Sequence, residues 1–544
     1  MPNDCAYTLH RKMCLDRLYS GLNPMQREAV CTVRGPLLVL AGAGSGKTTV
    51  LVNRIYHIIN FGDICSDERP PISVELKTEK MKAALNGGKK ELENCLKSMA
   101  VNPALPESVL CITFTNKAAG EFKQRLEAML GDSAKAIWAG TFHSICVRIL
   151  RKYIGLIGFS NSFTIYDADD SKKLITQIMK DLRVDEKILP VKAVAGAISG
   201  HKESRVLPEE ASVNAYDMRS RQTAEIYAEY QKRLKSASAL DFDDIILNTL
   251  ILFEENPEVL DYYRRKFEYI LVDEYQDTNP SQNDLVVMLG RGRRNVCVVG
   301  DDDQSIYSSR GATVDNILNF ARSFHDAKTI KLEQNYRSTK TILTAANAVI
   351  SNNKGRKGKN LWTSGAEGEK ITKRCLYTQN EEADYICGEI MKLHAFGVSL
   401  KSIAVLYRMN AVSNSLETAF VKNRLPYKVF GGIRFYERKE IKDIVAYLSI
   451  ISNKNDNIRL RRIINVPKRQ IGNSTVEALA AVAERDGISM LEAAKASSEY
   501  PELARSYPRL EKFYALIADL ADFAKENSVS ALINEVISRT GYET

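Results

Sequence analysis

Four short apolar runs stand out along the first 300 residues: Leu37 to Leu40, Val109 to Phe114, Tyr269 to Val272 and Val296 to Val299. Each gives way to polar or charged residues at its C-terminal end, and segments of helical period lie between them. A short unbroken apolar run bounded by turn residues is the pattern of a strand buried on both faces. Gly35-Pro36 bounds the first run, and Val50 to Ile59 after it repeats at helical spacing. Strands alternating with helices predict an α/β fold, with a parallel sheet that holds ligands at the carboxyl ends of its strands.

Two stretches depart from a minimal unit of that kind. Residues 61–108 are charged and contain Pro70-Pro71 and Gly87-Gly88, which predicts a surface insertion with some helix. Residues 153–238 keep helical periodicity with few strand signals, as an inserted helical subdomain would. After residue 325 the strand pattern resumes at Thr329 to Leu332, Ile403 to Tyr407 and Tyr427 to Phe430, so a second α/β unit is expected. From about 438 the pattern is helical, with a last helix over Val529 to Ser538. No solenoid-period repeat is present, and the most biased tract is the basic run Lys354 to Lys359.

Composition narrows the class without naming it. Of 544 residues, 44% are hydrophobic and 26% charged, which excludes disordered, collagen-like and disulfide-stapled chains. A formal net charge of +9 tolerates a polyanionic partner without demanding one. The ten cysteines form no C-x-x-C pair and the six histidines are scattered, so no zinc or iron site is expected. Cys111, Cys146 and Cys297 lie in apolar runs, where a reduced thiol is a small hydrophobe. No apolar stretch reaches membrane-spanning length, and the first twenty residues lack the apolar core of a leader, so a cytoplasmic, reducing setting is expected.

The chemistry begins at Ala41-Gly42-Ala43-Gly44-Ser45-Gly46-Lys47-Thr48. Between a strand and a helix, such a glycine loop turns backbone N–H groups toward phosphate oxygens. Lys47 suits the β- and γ-phosphates and the Thr48 hydroxyl suits Mg²⁺. At the end of the third run, Asp273 and Glu274 form a carboxylate pair, one for the Mg²⁺ shell and one as base toward the attacking water. Together these features predict a P-loop nucleotide hydrolase.

Further motifs say what the nucleotide would drive. They are Leu22-Asn23-Pro24-Met25-Gln26, Thr113 to Ala119, Thr141-Phe142-His143-Ser144, Gly300 to Tyr307 and Gln334 to Thr339. In this order, and with the phosphate loop, the set resembles the UvrD/Rep/PcrA group of superfamily I DNA helicases. The resemblance implies two RecA-like motor domains with helical insertions and an ATP- and Mg²⁺-dependent motor running 3′ to 5′ on single-stranded DNA. It places Gln26 on the adenine edge and Tyr336 on its ring, with residues 42–48 and Thr49 around the phosphates. Gln304 becomes a γ-phosphate sensor and Arg337 an arginine finger, beside Lys47 and Glu274 in catalysis. Phe114, Thr115, Asn116, Lys117, Thr141, Phe142, His143, Tyr307, Tyr407, Arg408 and Asn410 match positions that touch the strand. Phe114 and Phe142 equally suit a core, His143 a helix cap, and Lys354 to Lys359 a solvated turn.

The pattern also breaks. Ser309 stands where the family has a large aromatic, a platform worth about 1–3 kcal/mol of base stacking. Thr49 replaces a frequent arginine, and Gln470, in the loop Val466 to Gly472, replaces a glycine. Nothing after Gly472 resembles the later motifs of the second motor domain. The organisation expected is therefore a first motor domain in two parts, 1–152 and 239–325, around a helical subdomain at 153–238. An incomplete second motor domain at 326–437 and a truncated accessory domain at 438–544 would follow. Partners implied are single-stranded DNA, its junctions with duplex, and repair or replication proteins. The rival expectation is a fragment that binds ATP and DNA without turnover, and a kinase or transporter ATPase is a third.

Overall fold

All four apolar runs form strands, and two more complete the sheet. A computed structural model describes residues 2–67, 73–307, 311–353, 356, 358–430 and 438–542. Its strands are β1 (Leu37–Ala41), β2 (Val109–Thr113), β3 (Trp138–Thr141), β4 (Thr164–Ile165), β5 (Ala239–Leu240), β6 (Tyr269–Val272), β7 (Val296–Gly300) and β8 (Lys328–Leu332). Six make one parallel sheet in the order β3-β2-β6-β7-β1-β8, and β4 with β5 forms a separate two-stranded ladder. The sheet's strands alternate between two cores. Leu37, Val39 and Ala41 face one side with Cys111, Leu271 and Val299, while Leu38 and Leu40 face the other with Ile112, Val272 and Val298. Both faces are covered, so the runs read as unbroken apolar stretches.

The helices that matter for the site are α1 (Pro2–Leu18), α2 (Pro24–Cys31), α3 (Lys47–Asn60), α4 (Val74–Asn86), α5 (Lys89–Lys97), α6 (Asn116–Leu130) and α7 (Phe142–Tyr153). Residues 61–108 are more than the surface insertion expected. Met81 and Ala84 of α4 and Leu92 and Leu96 of α5 are buried in the same core as Tyr7, Cys14 and Leu15 of α1. Between β4 and β5 the chain is helical, with a core of its own around Ile178, Ile198, Tyr227 and Tyr230.

Two expectations about the later chain are corrected. Thr329 to Leu332 does not open a second sheet; it lies in β8, which pairs with β1 from Leu37↔Lys328 to Ala41↔Leu332. From Thr329 on its burial alternates, Ile330 and Leu332 inward and Thr329 and Lys331 outward, as suits an edge strand. Ile403 to Tyr407 and Tyr427 to Phe430 form no strand among the described residues. Leu406 and Phe430 are 92% and 77% exposed, and a run without a laddered neighbour has nothing to take its backbone hydrogen bonds but water.

The chain divides into two compact units. The first holds Met1–Gly368 with Ser452–Ile458 and Asp486–Leu491. The second holds Glu369–Ile451, Arg459–Arg485 and Glu492–Thr544, and among its described residues it is helical. It contains a small core in which helices Gln379–Ala395 and Ser413–Lys422 bury Ala383, Cys387, Leu416 and Ala419.

Candidate nucleotide site

The phosphate loop runs from the end of β1 into the first turn of α3. Gly44 and Gly46 have φ of +67° and +86°, the left-handed region that only glycine enters freely. A Cβ on Gly44 would stand 2.7 Å from Arg337 Cβ and from Asn335 Nδ2; one on Gly46 would stand 2.7 Å from Gln26 Nε2. The glycines therefore serve close approach as well as the turn.

Lys47 is held by the acidic strand end. Its Nζ lies 2.7 Å from Glu274 Oε2, with the lysine side chain 12% exposed and the glutamate 36%. β6 and β1 flank β7 in the sheet, so this ion pair spans a neighbouring strand to join the two strand ends. Glu274 has a left-handed backbone, φ 51° and ψ 46°, a conformation that costs a residue with a Cβ about 1–2 kcal/mol. Gln276 Nε2 donates to Glu274 Oε2 at 3.0 Å, and its Oε1 accepts from the Asp301 amide at 2.9 Å. One glutamine thus links the loop after β6 to the loop after β7.

Burial pushes the Glu274 carboxyl up, but Lys47 and Gln276 outweigh it and hold it below its usual range. Asp273 is buried beside the Glu274 charge and is pushed up to about 6, with Lys47 acting against the shift. Thr48, in the first turn of α3, and Asp273, at the end of β6, offer hard oxygen donors at the carboxyl ends of parallel strands.

The motif Gln334 to Thr339 lies against the phosphate loop. The Tyr336 amide donates to Gly44 O at 2.9 Å and Asn335 Nδ2 to Ala43 O at 2.5 Å. Asn335 Oδ1 accepts from the amides of Arg337 (2.8 Å) and Ser338 (2.7 Å), so one buried side chain shapes the turn and ties it down. Tyr336 is 55% exposed, and its hydroxyl meets Asn23 Nδ2 at 2.9 Å. Gln26 Nε2 donates to Ser45 O at 2.8 Å while its backbone completes the Asn23 cap of α2. Gln26, Tyr336, Arg337 and the glycine loop therefore meet in one place. Thr49 is exposed on α3. Sequence reading gave Asn335 no role and missed Leu361, which packs over Gly42.

In the Gly300 to Tyr307 loop, Gln304 Nε2 donates to Asp301 Oδ2. The basic run is no solvated turn where it is described. Lys359 is 3% exposed and paired with Asp301 at 2.6 Å, Asp303 at 3.0 Å and Asp302, while Arg356 meets Asp303 at 2.8 Å. An ammonium thus occupies the pocket of the three aspartates. Lys354, Gly355 and Lys357 lie outside the described residues, as does Ser309.

The residues expected to touch a strand divide. Phe114 follows β2 and Tyr307 follows β7, and their rings lie 5.2 Å apart at 33°. Thr115, Asn116 and Lys117 beside them are exposed at the start of α6, which Thr115 caps. His143 packs against Phe242, 5.3 Å between rings, and Phe242 is 54% exposed, an aromatic that sequence reading left out. Burial pushes the His143 imidazole down, so the ring stays neutral. Thr141 caps α7 through Ser144 N. Phe142 is a correction: at 2% exposed it belongs to the apolar core with Ile145 and Leu150 and has no face for a base. Tyr407, Arg408 and Asn410 lie in the second unit, where Tyr407 leans on its small core and Arg408 and Asn410 are exposed.

Comparison with known proteins gives the family. The family model for the UvrD/REP helicase N-terminal domain matches residues 22–83 and 92–325, and that for the UvrD-like helicase C-terminal domain matches 330–509. The ATP-dependent DNA helicase PcrA of Staphylococcus aureus is 44% identical over 529 residues, which are 97% of this chain and 67% of the relative. PcrA of Staphylococcus epidermidis is 43% identical over the same shares. The C-terminal match shows that the second domain is represented in this chain, which spans about two thirds of the length of these relatives. The chain belongs to the UvrD/REP helicase family, with both its N-terminal and its C-terminal domain represented.

Proposed function

We propose that this chain is an ATP-dependent DNA helicase in which the Lys47–Glu274 pair is the resting state of the catalytic site. The observation that carries the reading is that pair at 2.7 Å, beside a glycine loop on which the Tyr336-Arg337 turn is latched. An arriving triphosphate offers Lys47 a stronger partner, and Lys47 leaves Glu274. The freed carboxylate, still accepting its hydrogen bond from Gln276, then orients the attacking water and takes its proton. Thr48 and Asp273 are the oxygen donors for Mg²⁺, which would neutralise charge on the phosphates. Arg337 stabilises charge in the transition state, Gln304 senses the γ-phosphate, and Gln26 and Tyr336 hold the base. Asn335 positions Tyr336 and Arg337 through its two accepted backbone bonds.

Gln276 supports a route from nucleotide to strand. It bonds Glu274 on one side and Asp301 on the other, and the loop of Asp301 leads to Tyr307 against Phe114. Aromatic faces suit a motor that steps along any sequence, because every base can stack. Thr115, Asn116, Lys117 and His143 belong to the same surface, and movement from 3′ to 5′ follows the family resemblance. The test is displacement of a labelled strand from a duplex with a 3′ single-stranded tail, in the presence of ATP and Mg²⁺. Unwinding that Arg337→Ala abolishes supports the reading, whereas ATP binding without strand displacement would reduce the chain to a nucleotide-responsive DNA binder.

A further inference from the structure

Three soft donors meet well away from the phosphates. Cys31 ends α2, His57 lies in the last turn of α3, and Cys65 follows α3 at the start of the segment that leads to α4. They are 26 and 8 residues apart, a spacing with no motif, which is why the sequence predicts nothing here. Their donor atoms all lie within 4.8 Å of one another, and Cys65 Sγ is 3.5 Å from His57 Nε2. A tetrahedral ion with bonds of about 2.3 Å to sulfur and about 2.0–2.1 Å to nitrogen spaces such donors by about 3.5 Å.

The surroundings prepare the donors. The other ring nitrogen of His57 lies 2.8 Å from the Tyr19 hydroxyl. With its proton on that side, Nε2 turns its lone pair toward the sulfurs, the arrangement by which an outer partner orients a metal-binding imidazole. His57 is fully buried, and burial first and Arg54 second push its imidazole down to about 3, so the ring is neutral. Both cysteines are free thiols. The hydrogen bond from Cys65 first, then Arg27 and Arg54, hold the Cys31 thiol below its usual range despite burial. Metal binding would release the protons of both thiols.

We propose that Cys31, His57 and Cys65 form a three-ligand site for a divalent cation of the Zn²⁺ class, with water or a small anion completing the tetrahedron. Two thiolates and a neutral imidazole balance the charge of one such ion and match its borderline-soft character. The ion would pin together α2, which carries Gln26, α3, which carries Lys47, and the start of the added segment. Lys47 and His57 are ten residues apart on α3, about 15 Å along its axis, so the ion serves as a clip and takes no part in phosphate chemistry.

The test uses the full chain, stripped of metal and reduced, and titrated with Co²⁺ as a spectroscopic probe. The expected result is one ion per chain, with near-ultraviolet thiolate-to-metal charge transfer and the strong visible bands of tetrahedral Co²⁺, both displaced by Zn²⁺. Cys31→Ser and Cys65→Ser lose the charge-transfer intensity, Cys95→Ser keeps it, and Tyr19→Phe weakens binding about 10- to 100-fold. A readout that needs no variant is alkylation: Zn²⁺ shields Cys31 and Cys65 and leaves Cys375 reactive. Absence of the charge-transfer band in folded protein overturns the proposal, as does a band unchanged in both serine variants. A Cys31–Cys65 disulfide that forms in place of metal uptake overturns it too.

Discussion

Two lysines of the first unit face carboxylates and mean opposite things. Lys47 meets a single glutamate that is 36% exposed, at the mouth of a glycine loop. Lys202 has a fully buried ammonium between Asp241 at 2.6 Å and Asp244 at 2.8 Å. Tyr230 donates to the same Asp241 oxygen, and Asp241 and Asp244 also cap the helix Phe242–Glu255 reciprocally. Burial alone would push the Lys202 amine down, but the two aspartates outweigh it and hold it up. Lys202 is fully enclosed with these partners, and losing the lysine would strand carboxylate charge in the core. Among the described residues Lys47 has one ion-pair partner, and it is not fully enclosed. The same ion pair is a structural joint where it is closed over and a site where it can be exchanged.

The largest effect expected from breaking this comparison is on Lys47. Lys47→Ala should lower ATP turnover at least about 10³-fold, because it removes a preorganised charge at the phosphates, and should leave the melting temperature nearly unchanged. Steady-state hydrolysis alongside a thermal melt separates the two. Lys202→Met should do the reverse, costing about 3–5 kcal/mol of stability by leaving buried carboxylates uncompensated. Burial and the Asp241 charge push Asp244 up to about 7, well above its unfolded value. The folded state therefore holds a proton that the unfolded state has lost, and stability falls as pH rises toward 7. The Lys202→Met penalty should accordingly be larger at about pH 8 than at about pH 6 in urea unfolding, since more carboxylate charge is then left without its cation.

Asn335→Ala sharpens the comparison at the open site. It should cost about 1–3 kcal/mol of transition-state stabilisation by freeing the Tyr336-Arg337 turn from Ala43. Asn335→Asp, which keeps the accepted bonds, should recover part of kcat. The smallest effect is expected in the second unit, at Gln470, whose φ of 58° lies in the left-handed region. Gln470→Gly should stabilise by about 0.5–1 kcal/mol in denaturant unfolding, which gives the family's glycine at this position a backbone reason.

The first sheet was legible because burial on both faces writes itself as unbroken apolar runs. β3 escaped because Ala139 and Gly140 dilute the signal of a four-residue strand, and β8 was read as a new beginning because chain order does not reveal that it returns beside β1. The phosphate loop, Asp273 and Glu274 could be read from local motifs, since their chemistry demands fixed residue types at fixed spacing. What depends on distant packing stayed hidden: the Asn335 latch on Ala43, Lys359 among three aspartates, and the meeting of Cys31, His57 and Cys65. Phe142 was misassigned because a motif gives the neighbourhood of a residue but not the side of the helix it faces.

The exchange of Lys47 from carboxylate to phosphate is the centre of this account, and steady-state ATP hydrolysis tests it most directly. The rate should be measured with and without single-stranded DNA for the full chain, for Lys47→Ala and for Glu274→Gln. The account predicts DNA-stimulated turnover that both variants lose, with nucleotide binding kept by Glu274→Gln and weakened in Lys47→Ala. Turnover in Glu274→Gln equal to that of the unaltered chain would contradict it, because the carboxylate released by Lys47 would then have no part in the reaction.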